Sequence, residues 1–221
     1  MNDEQGRRVA LGLLSFTAGV MDAIAFLTLG EVFTSAMSGN TILLGLALGQ
    51  GRIYAAFHSL AAFAGYICGV GGAALPLRRP RGIELTLALE ILFLAAFAGF
   101  WAIRGGPAGP VERYVLILLS AIAMGLQGAV GRAMRISGIP TIVVTSTLTA
   151  IIGTIAEKIL SRERPILATP TRHQITSFLL YLASAALAGF ALSRWRDALP
   201  FVPLAAVLAL VLGLRSRMLR L

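Results

Sequence analysis

The sequence has few charged residues. Asp, Glu, Lys and Arg make up 13% of its 221 residues, whereas a share of about 25% is usual in a soluble domain. Hydrophobic residues account for 57%, and the mean hydropathy is +0.83. A soluble fold has too little interior to bury so many apolar side chains. The shortage of charge therefore excludes an ordinary soluble domain and predicts an integral membrane protein.

Cysteine and histidine are also scarce. Cys68 is the one cysteine, and His58 and His173 are the two histidines. A single cysteine excludes an intrachain disulfide and a cysteine-based metal centre. The sequence also has no phosphate-binding glycine loop and no nucleotide fingerprint. We therefore predict neither a metal nor a cofactor.

The charge that is present is mostly basic, with 19 Lys and Arg against 10 Asp and Glu. The arginines lie between apolar runs rather than along one helix face, which argues against nucleic-acid binding. Basic residues at the ends of apolar runs are typical of cytoplasmic loops. The expected partners are thus the lipid bilayer and an unidentified small molecule or ion, and not nucleic acid.

Apolar runs with short polar breaks fill the chain from residue 9 to residue 214, which leaves no room for a second domain. We expect one membrane domain over residues 1–221, in an all-α polytopic fold. The candidate segments are about 9–29, 33–50, 53–75, 84–103, 113–131, 140–157, 174–193 and 199–214. Segments 33–50 and 140–157 are shorter and richer in Ser and Thr, which predicts re-entrant elements or half-helices.

The basic residues favour this topology. With six crossings and two re-entrant elements, the outside carries Arg52, Arg104, Arg113, Arg194 and Arg196, and the other 14 of the 19 basic residues lie inside. If all eight segments crossed, only 12 would lie inside. By the positive-inside rule we predict about six crossing helices, two re-entrant elements and cytoplasmic termini.

Short sequence matches indicate an internal repeat. Residues 61–66 (AAFAGY) match 185–190 (AALAGF), and 19–23 and 38–41 match 125–129 and 145–148 more loosely. Repeat one covers about 9–103 and repeat two about 113–214. Three crossings in each repeat would insert the second copy upside down, as in many secondary transporters. The alternative is chance similarity between helices rich in Ala and Gly.

Several of these residues resemble a known family. The words are Gly19-Val20-Met21-Asp22-Ala23, Ser38-Gly39-Asn40, Met124-Gly125-Leu126-Gln127 with Arg132, and Val144-Thr145 with Leu148-Thr149. Over nearly the whole chain the sequence resembles the YoaK-type multipass membrane proteins of bacteria, a domain of unknown function. In that family Asn commonly follows the glutamine, and Gly follows the later threonine, where this chain has Gly128 and Ser146. The resemblance implies the bacterial inner membrane but no activity.

Asp22 is the most informative polar residue, because it lies inside the first apolar run. A bare carboxylate near the middle of a bilayer costs about 2.5–3.5 kcal/mol on insertion scales. One interpretation is a proton- or cation-coupling carboxylate that faces a cavity. The other is a structural carboxylate paired with Arg132 or hydrogen-bonded to Gln127.

The interrupted segments provide the other candidates for a site. Ser, Asn and Thr can satisfy the open backbone of a broken helix, and such breaks often form substrate sites near the midplane. The alternative is that the hydroxyls bond to the backbone one turn back and only help helices to pack. The predicted substrate or ion site consists of Asp22, Ser38, Asn40, Thr41, Gln127, Arg132, Thr145 and Thr147.

We therefore expect a small secondary transporter or permease, not an enzyme, with Asp22 as the coupling group. One alternative is a non-transporting scaffold or partner protein held together by small-residue contacts, which also allow a homo-oligomer. A less favoured alternative is an intramembrane hydrolase that uses Ser38 and His58.

Overall fold

The protein is helical throughout the part that the structure describes. This computed structural model describes residues 3–134, 140–162, 164 and 169–216, with side chains for all of these except 3, 4 and 140–145. The helices are α1 (Asp3–Thr28), α2 (Met37–Gly49), α3 (Ile53–Gly72), α4 (Gly82–Arg104), α5 (Pro110–Ala133), α6 (Pro140–Leu160), α7 (Thr169–Leu192) and α8 (Phe201–Arg215), with a 3-10 turn at Pro76–Arg78. No strand occurs among these residues, so the all-α membrane fold is confirmed.

The helix lengths correct two details of the prediction. Within the described residues, five helices (α1, α3, α4, α5 and α7) are long and apolar enough to cross a membrane. Helix α8, which we expected to be a sixth crossing, has 15 residues and spans about 22 Å at 1.5 Å per residue. Helix α2 is short, with 13 residues, as expected, but α6 has 21 residues and is not a half-helix. Its apolar run alone did not predict that the helix extends to Leu160.

Helices α1 and α5 form the centre of the bundle and run antiparallel. The Gln127 side-chain amide, late in α5, donates to the carbonyl of Leu14 in the first half of α1 at 3.0 Å. At the other end of the pair, Arg113 near the start of α5 shares a pocket with Gly30, just beyond α1. We call the end that carries Arg8 the amino end of the bundle, and the end that carries Gly30 the far end.

Each central helix has a parallel neighbour. In α1 and α7, Gly12 lies against Leu180, and Leu27 lies against Gly189 further along both helices. In α5 and α3, the Tyr114 ring lies 5.2 Å from the His58 ring, and Gly125 lies against Gly69 further along. Helix α7, from the second half of the chain, packs on α1 of the first half, and α3, from the first half, packs on α5 of the second. Each parallel pair therefore joins the two halves.

These contacts pair different residues from those that the sequence match paired. Gly19 lies against the backbone of Tyr181, and Gly125 lies in the same way against the backbone of Tyr66. By these contacts Tyr66 and Tyr181 take similar positions, whereas the AAFAGY match pairs Tyr66 with Phe190. The internal repeat stays a prediction.

Helix α2 enters and leaves the bundle at the same end. Residues 29–36 run from the end of α1 back to the level of Asp22, where Thr34 and Ser35 contact that side chain. Helix α2 then returns to the far end, where Arg52 lies 3.5 Å from Glu31. Because this ion pair joins the entry and the exit of the segment, α2 does not run the length of the bundle.

Candidate functional site

The Asp22 carboxylate is buried, with 2% of the residue exposed, and its partners come from the segment before α2. Oδ1 accepts the backbone N–H groups of Thr34 and Ser35, both at 2.7 Å, and the Thr34 hydroxyl at 3.3 Å. Oδ2 accepts the Ser35 hydroxyl at 2.6 Å. Two adjacent amides and two hydroxyls so placed offset the cost of a buried charge, because charge-assisted hydrogen bonds are the strong ones.

A further donor to Asp22 comes from the second half of the chain. The Tyr181 hydroxyl on α7 donates to Oδ2 at 2.7 Å. A carboxylate has about four lone-pair sites, so Asp22 is fully hydrogen-bonded. These donors come from residues other than Arg132 and Gln127, which corrects the pairing that the sequence suggested. Tyr181, Thr34 and Ser35 were missed, because a tyrosine in an apolar run carries no signal of its own.

Asn40 also holds the segment before α2 in place. Its side chain is fully buried; Oδ1 accepts the N–H of Phe33 at 2.9 Å, and Nδ2 donates to the Phe33 carbonyl at 2.6 Å. The side-chain amide of Asn40 thus bonds to both the N–H and the carbonyl of Phe33, which lies outside any helix, as a neighbouring β-strand would. The Phe33 ring stacks on Phe26 of α1, with 5.1 Å between the centroids. Asp22 and Asn40 together hold an irregular backbone inside the protein.

The remaining candidates in the first half and in α5 do not join this cluster. Ser38 is exposed, and the exposed Thr41 donates to the Met37 carbonyl one turn back at 3.0 Å, which is the alternative packing role. Gln127 is buried but contacts α1 at Leu14, eight residues before Asp22 and about 12 Å along the helix. Arg132 is exposed near the amino end.

The candidates on α6 are only partly described. Thr147 is buried, with 4% of the residue exposed. The side chain of Thr145 lies outside the described residues. A site that combines α2 and α6 at the repeat interface therefore stays a prediction.

Glu90 is a second buried acid, which the sequence did not place in the site. The residue is fully buried on α4, and neither carboxyl oxygen has a hydrogen-bond partner among the described residues. Asp22 and Glu90 thus differ sharply: one acid is saturated with donors and the other has none. In sequence both are acids inside an apolar run, so only the structure separates them.

Two surface pockets lie at opposite ends of the parallel helix pairs. The pocket at the amino end, between α1 and α7, is lined in part by Arg8, Arg172 and His173. The pocket at the far end, between α3 and α5, includes His58 and Arg113. Neither of these two pockets is lined by Asp22 or Asn40, and both residues are buried.

The pair required by the hydrolase alternative is not assembled as a nucleophile and base. Ser38 is exposed, whereas His58 is 8% exposed and packs against Tyr114 and Gly30. No hydrogen bond between the two is found in the described residues. A nucleophile and its base should lie within hydrogen-bonding reach, although apo geometries can be looser.

Comparison with known proteins gives a family without an activity. A family model described as "Protein of unknown function (DUF1275)" matches residues 10–214. The UPF0700 transmembrane protein YoaK of Bacillus subtilis (strain 168) is 31% identical over 219 residues, which cover 96% of each chain. No solved structure matches the chain. The family model and this relative both match nearly the whole chain. The chain, which is a helical membrane protein, therefore belongs to the DUF1275 family.

Proposed function

We propose that the protein is a small secondary transporter in which the hydrogen bonds of Asp22 hold the re-entrant segment, residues 29–36 with α2, in place. The observation that carries the proposal is the position of this carboxylate: it accepts hydrogen bonds both from residues 34 and 35 before α2 and from Tyr181 of the other half. When Asp22 binds a proton, it loses acceptor capacity and gains a donor. At least one of these donors must then find another partner, which loosens the segment or the contact between the halves.

The helix arrangement supports this proposal. Antiparallel α1 and α5, each with a parallel partner from the other half, are what an inverted repeat produces. An interrupted helix inside the bundle is the element that forms sites in such transporters. The two pockets lie at opposite ends of the bundle, with the buried Asp22 cluster on α1 between those ends. We assign this geometry to a closed state of a permease with two vestibules.

The same proposal includes location and orientation. Among the described basic residues outside 158–164, eight lie at the amino end (Arg7, Arg8, Arg78, Arg79, Arg81, Arg132, Arg172 and Arg215) and five at the far end (Arg52, Arg104, Arg113, Arg194 and Arg196). Under the positive-inside rule the amino end faces the cytoplasm, in the inner membrane of a bacterium. Both termini would then be cytoplasmic. We propose no enzymatic activity for the protein.

A solute screen tests the transport activity even though the substrate is not identified. Proteoliposomes with an imposed pH gradient are incubated in a small-molecule extract of bacterial cells, and mass spectrometry measures their contents. We expect at least one solute to accumulate with the native protein and not with Asp22→Asn. The matched control is Asp197→Asn, which makes the same change at an exposed loop position and should leave uptake intact.

A non-transporting scaffold is the second candidate, and a specific observation favours it. Asp22 and Asn40 are both buried and hydrogen-bonded to neighbours, and neither of the two pockets is lined by them. In a scaffold these bonds would only hold the irregular segment in place. The scaffold predicts no solute accumulation with any variant and no change of conformation with pH.

A further inference from the structure

The pocket at the amino end combines basic and hydroxyl side chains from two helices. It has a volume of about 280 Å³. Its lining residues in the described part of the chain are Arg8 and Leu11 from α1 and Arg172, His173, Thr176 and Ser177 from α7, none of which is acidic. We propose that this pocket binds a phosphate group.

The donors reach the pocket from distant parts of the chain. The Arg8 Nε donates to the Nε2 of His173, 165 residues away, so the parallel packing of α1 and α7 fixes both side chains against each other. Arg172 is exposed beside them. A guanidinium presents a planar set of donors that matches a phosphate in a bidentate manner, and hydroxyl side chains can complete the remaining oxygens.

The depth of the pocket also fits a phosphate. The apolar part of α1 begins at Val9, directly after Arg8, and the apolar part of α7 begins at Ile175, directly after the polar first turns of that helix. The pocket therefore lies where the hydrocarbon meets the polar surface, and Leu11 supplies an apolar wall. Basic pockets between transmembrane helices at this level bind the headgroups of acidic lipids.

The pocket at the far end lacks this charge pattern. Glu31 lines that pocket and lies 3.5 Å from Arg52, so a carboxylate already offsets one of its cations. An anion entering there would meet like charge. The guanidinium and hydroxyl groups and the interfacial depth together point to the pocket between α1 and α7, whether the phosphate comes from an acidic phospholipid or from free phosphate.

Two measurements on the full chain separate these sources. In the first, native mass spectrometry counts phosphatidylglycerol molecules bound to the detergent-purified protein, with phosphatidylcholine as the comparison lipid. In the second, thermal unfolding is followed in inorganic phosphate and in chloride at equal ionic strength. Each uses Arg172→Gln and a matched control, Arg194→Gln, which removes an exposed arginine just beyond the other end of α7.

We expect Arg172→Gln to lower one of these affinities about tenfold, the loss typical of one charge-assisted contact, and Arg194→Gln to leave it unchanged. Loss of phosphatidylglycerol binding alone identifies a lipid headgroup as the source. Loss of stabilisation by phosphate alone identifies the free ion. The proposal is overturned if neither affinity depends on Arg172, or if both variants reduce binding equally, since surface charge alone would then explain it. Neither result depends on transport.

Discussion

The hydroxyl of Tyr181 on α7 donates a 2.7 Å hydrogen bond to Asp22 on α1, across 159 residues of sequence. Its counterpart in the other helix pair, Tyr66 on α3, points its hydroxyl toward the backbone of Gly128 on α5. Gly128 stands where an acid would complete a second copy of the contact. The two parallel helix pairs thus share a glycine–tyrosine contact, but among the described residues a carboxylate accepts from the tyrosine hydroxyl only in the α1–α7 pair.

This difference predicts unequal effects of the same substitution. Tyr181→Phe removes a hydrogen bond to a buried carboxylate, which should lower the free energy of unfolding by about 1.5–3 kcal/mol. Tyr66→Phe removes a hydroxyl for which no hydrogen bond to an acid is found in the described part of the chain, and it should cost less than about 1 kcal/mol. Thermal unfolding of the two purified variants makes the comparison. Equal losses would show that Asp22 does not depend on Tyr181.

The close contacts of the parallel helix pairs give a second prediction. A methyl group at Gly19 would collide with the backbone of Tyr181, and one at Gly125 with the backbone of Tyr66. Gly19→Ala and Gly125→Ala should each destabilise the protein by about 1–3 kcal/mol, the usual cost of overpacking. Thermal unfolding of the purified variants measures the loss.

Gly99→Ala is the matched control for these glycines. No atom lies within 4 Å of the added methyl group there, and alanine favours a helix interior by about 1 kcal/mol over glycine. Its melting temperature should stay the same or rise. A drop similar to those at Gly19 and Gly125 would mean that helix contacts are not what these glycines provide.

The re-entrant path of α2 gives a third prediction, on membrane sidedness. With Cys68 replaced by alanine, single cysteines at Glu31 and Arg52 should react with a membrane-impermeant maleimide from the same side, because α2 returns to the end it came from. A cysteine at the exposed Arg79, beyond α3, should react from the other side. If the Glu31 and Arg52 positions labelled from opposite sides, α2 would cross the membrane.

The sequence predicted the parts of this fold that depend on composition. Low charge and long apolar runs predicted a helical membrane protein, and the short segment 33–50, rich in Ser and Thr, predicted the short helix α2. The polar residues 38–40, which were expected to interrupt that helix, lie inside it. The partners of Asp22 were not predictable, because Tyr181 is brought to it only by the packing of α7 on α1. Helices α6 and α8 begin and end within three residues of the predicted segments 140–157 and 199–214. What the apolar run of α8 did not show is that its 15 residues are few for a sixth crossing.

The structure brings together two of the predicted site residues, and their role in a site stays a prediction. Asp22 and Asn40 bond to the same irregular segment before α2. Gln127 was placed with them because residues 125–129 match 19–23 in the predicted repeat, yet its side chain bonds to Leu14. Sequence gives the depth of a polar residue along its own helix, but not the direction in which the neighbouring helix runs.

Paired accessibility measurements test the transporter account most directly. Single cysteines replace Val32, buried in the segment before α2, and Ser177, buried beside the pocket at the amino end. Each is placed in a Cys68→Ala chain with native Asp22 or with Asp22→Asn, which mimics the protonated acid, and labelling rates are measured in proteoliposomes. The account predicts that Asp22→Asn changes the two rates in opposite directions, faster at Val32 and slower at Ser177. Unchanged rates, or a rise at Val32 alone as local loosening of a scaffold would give, would contradict it.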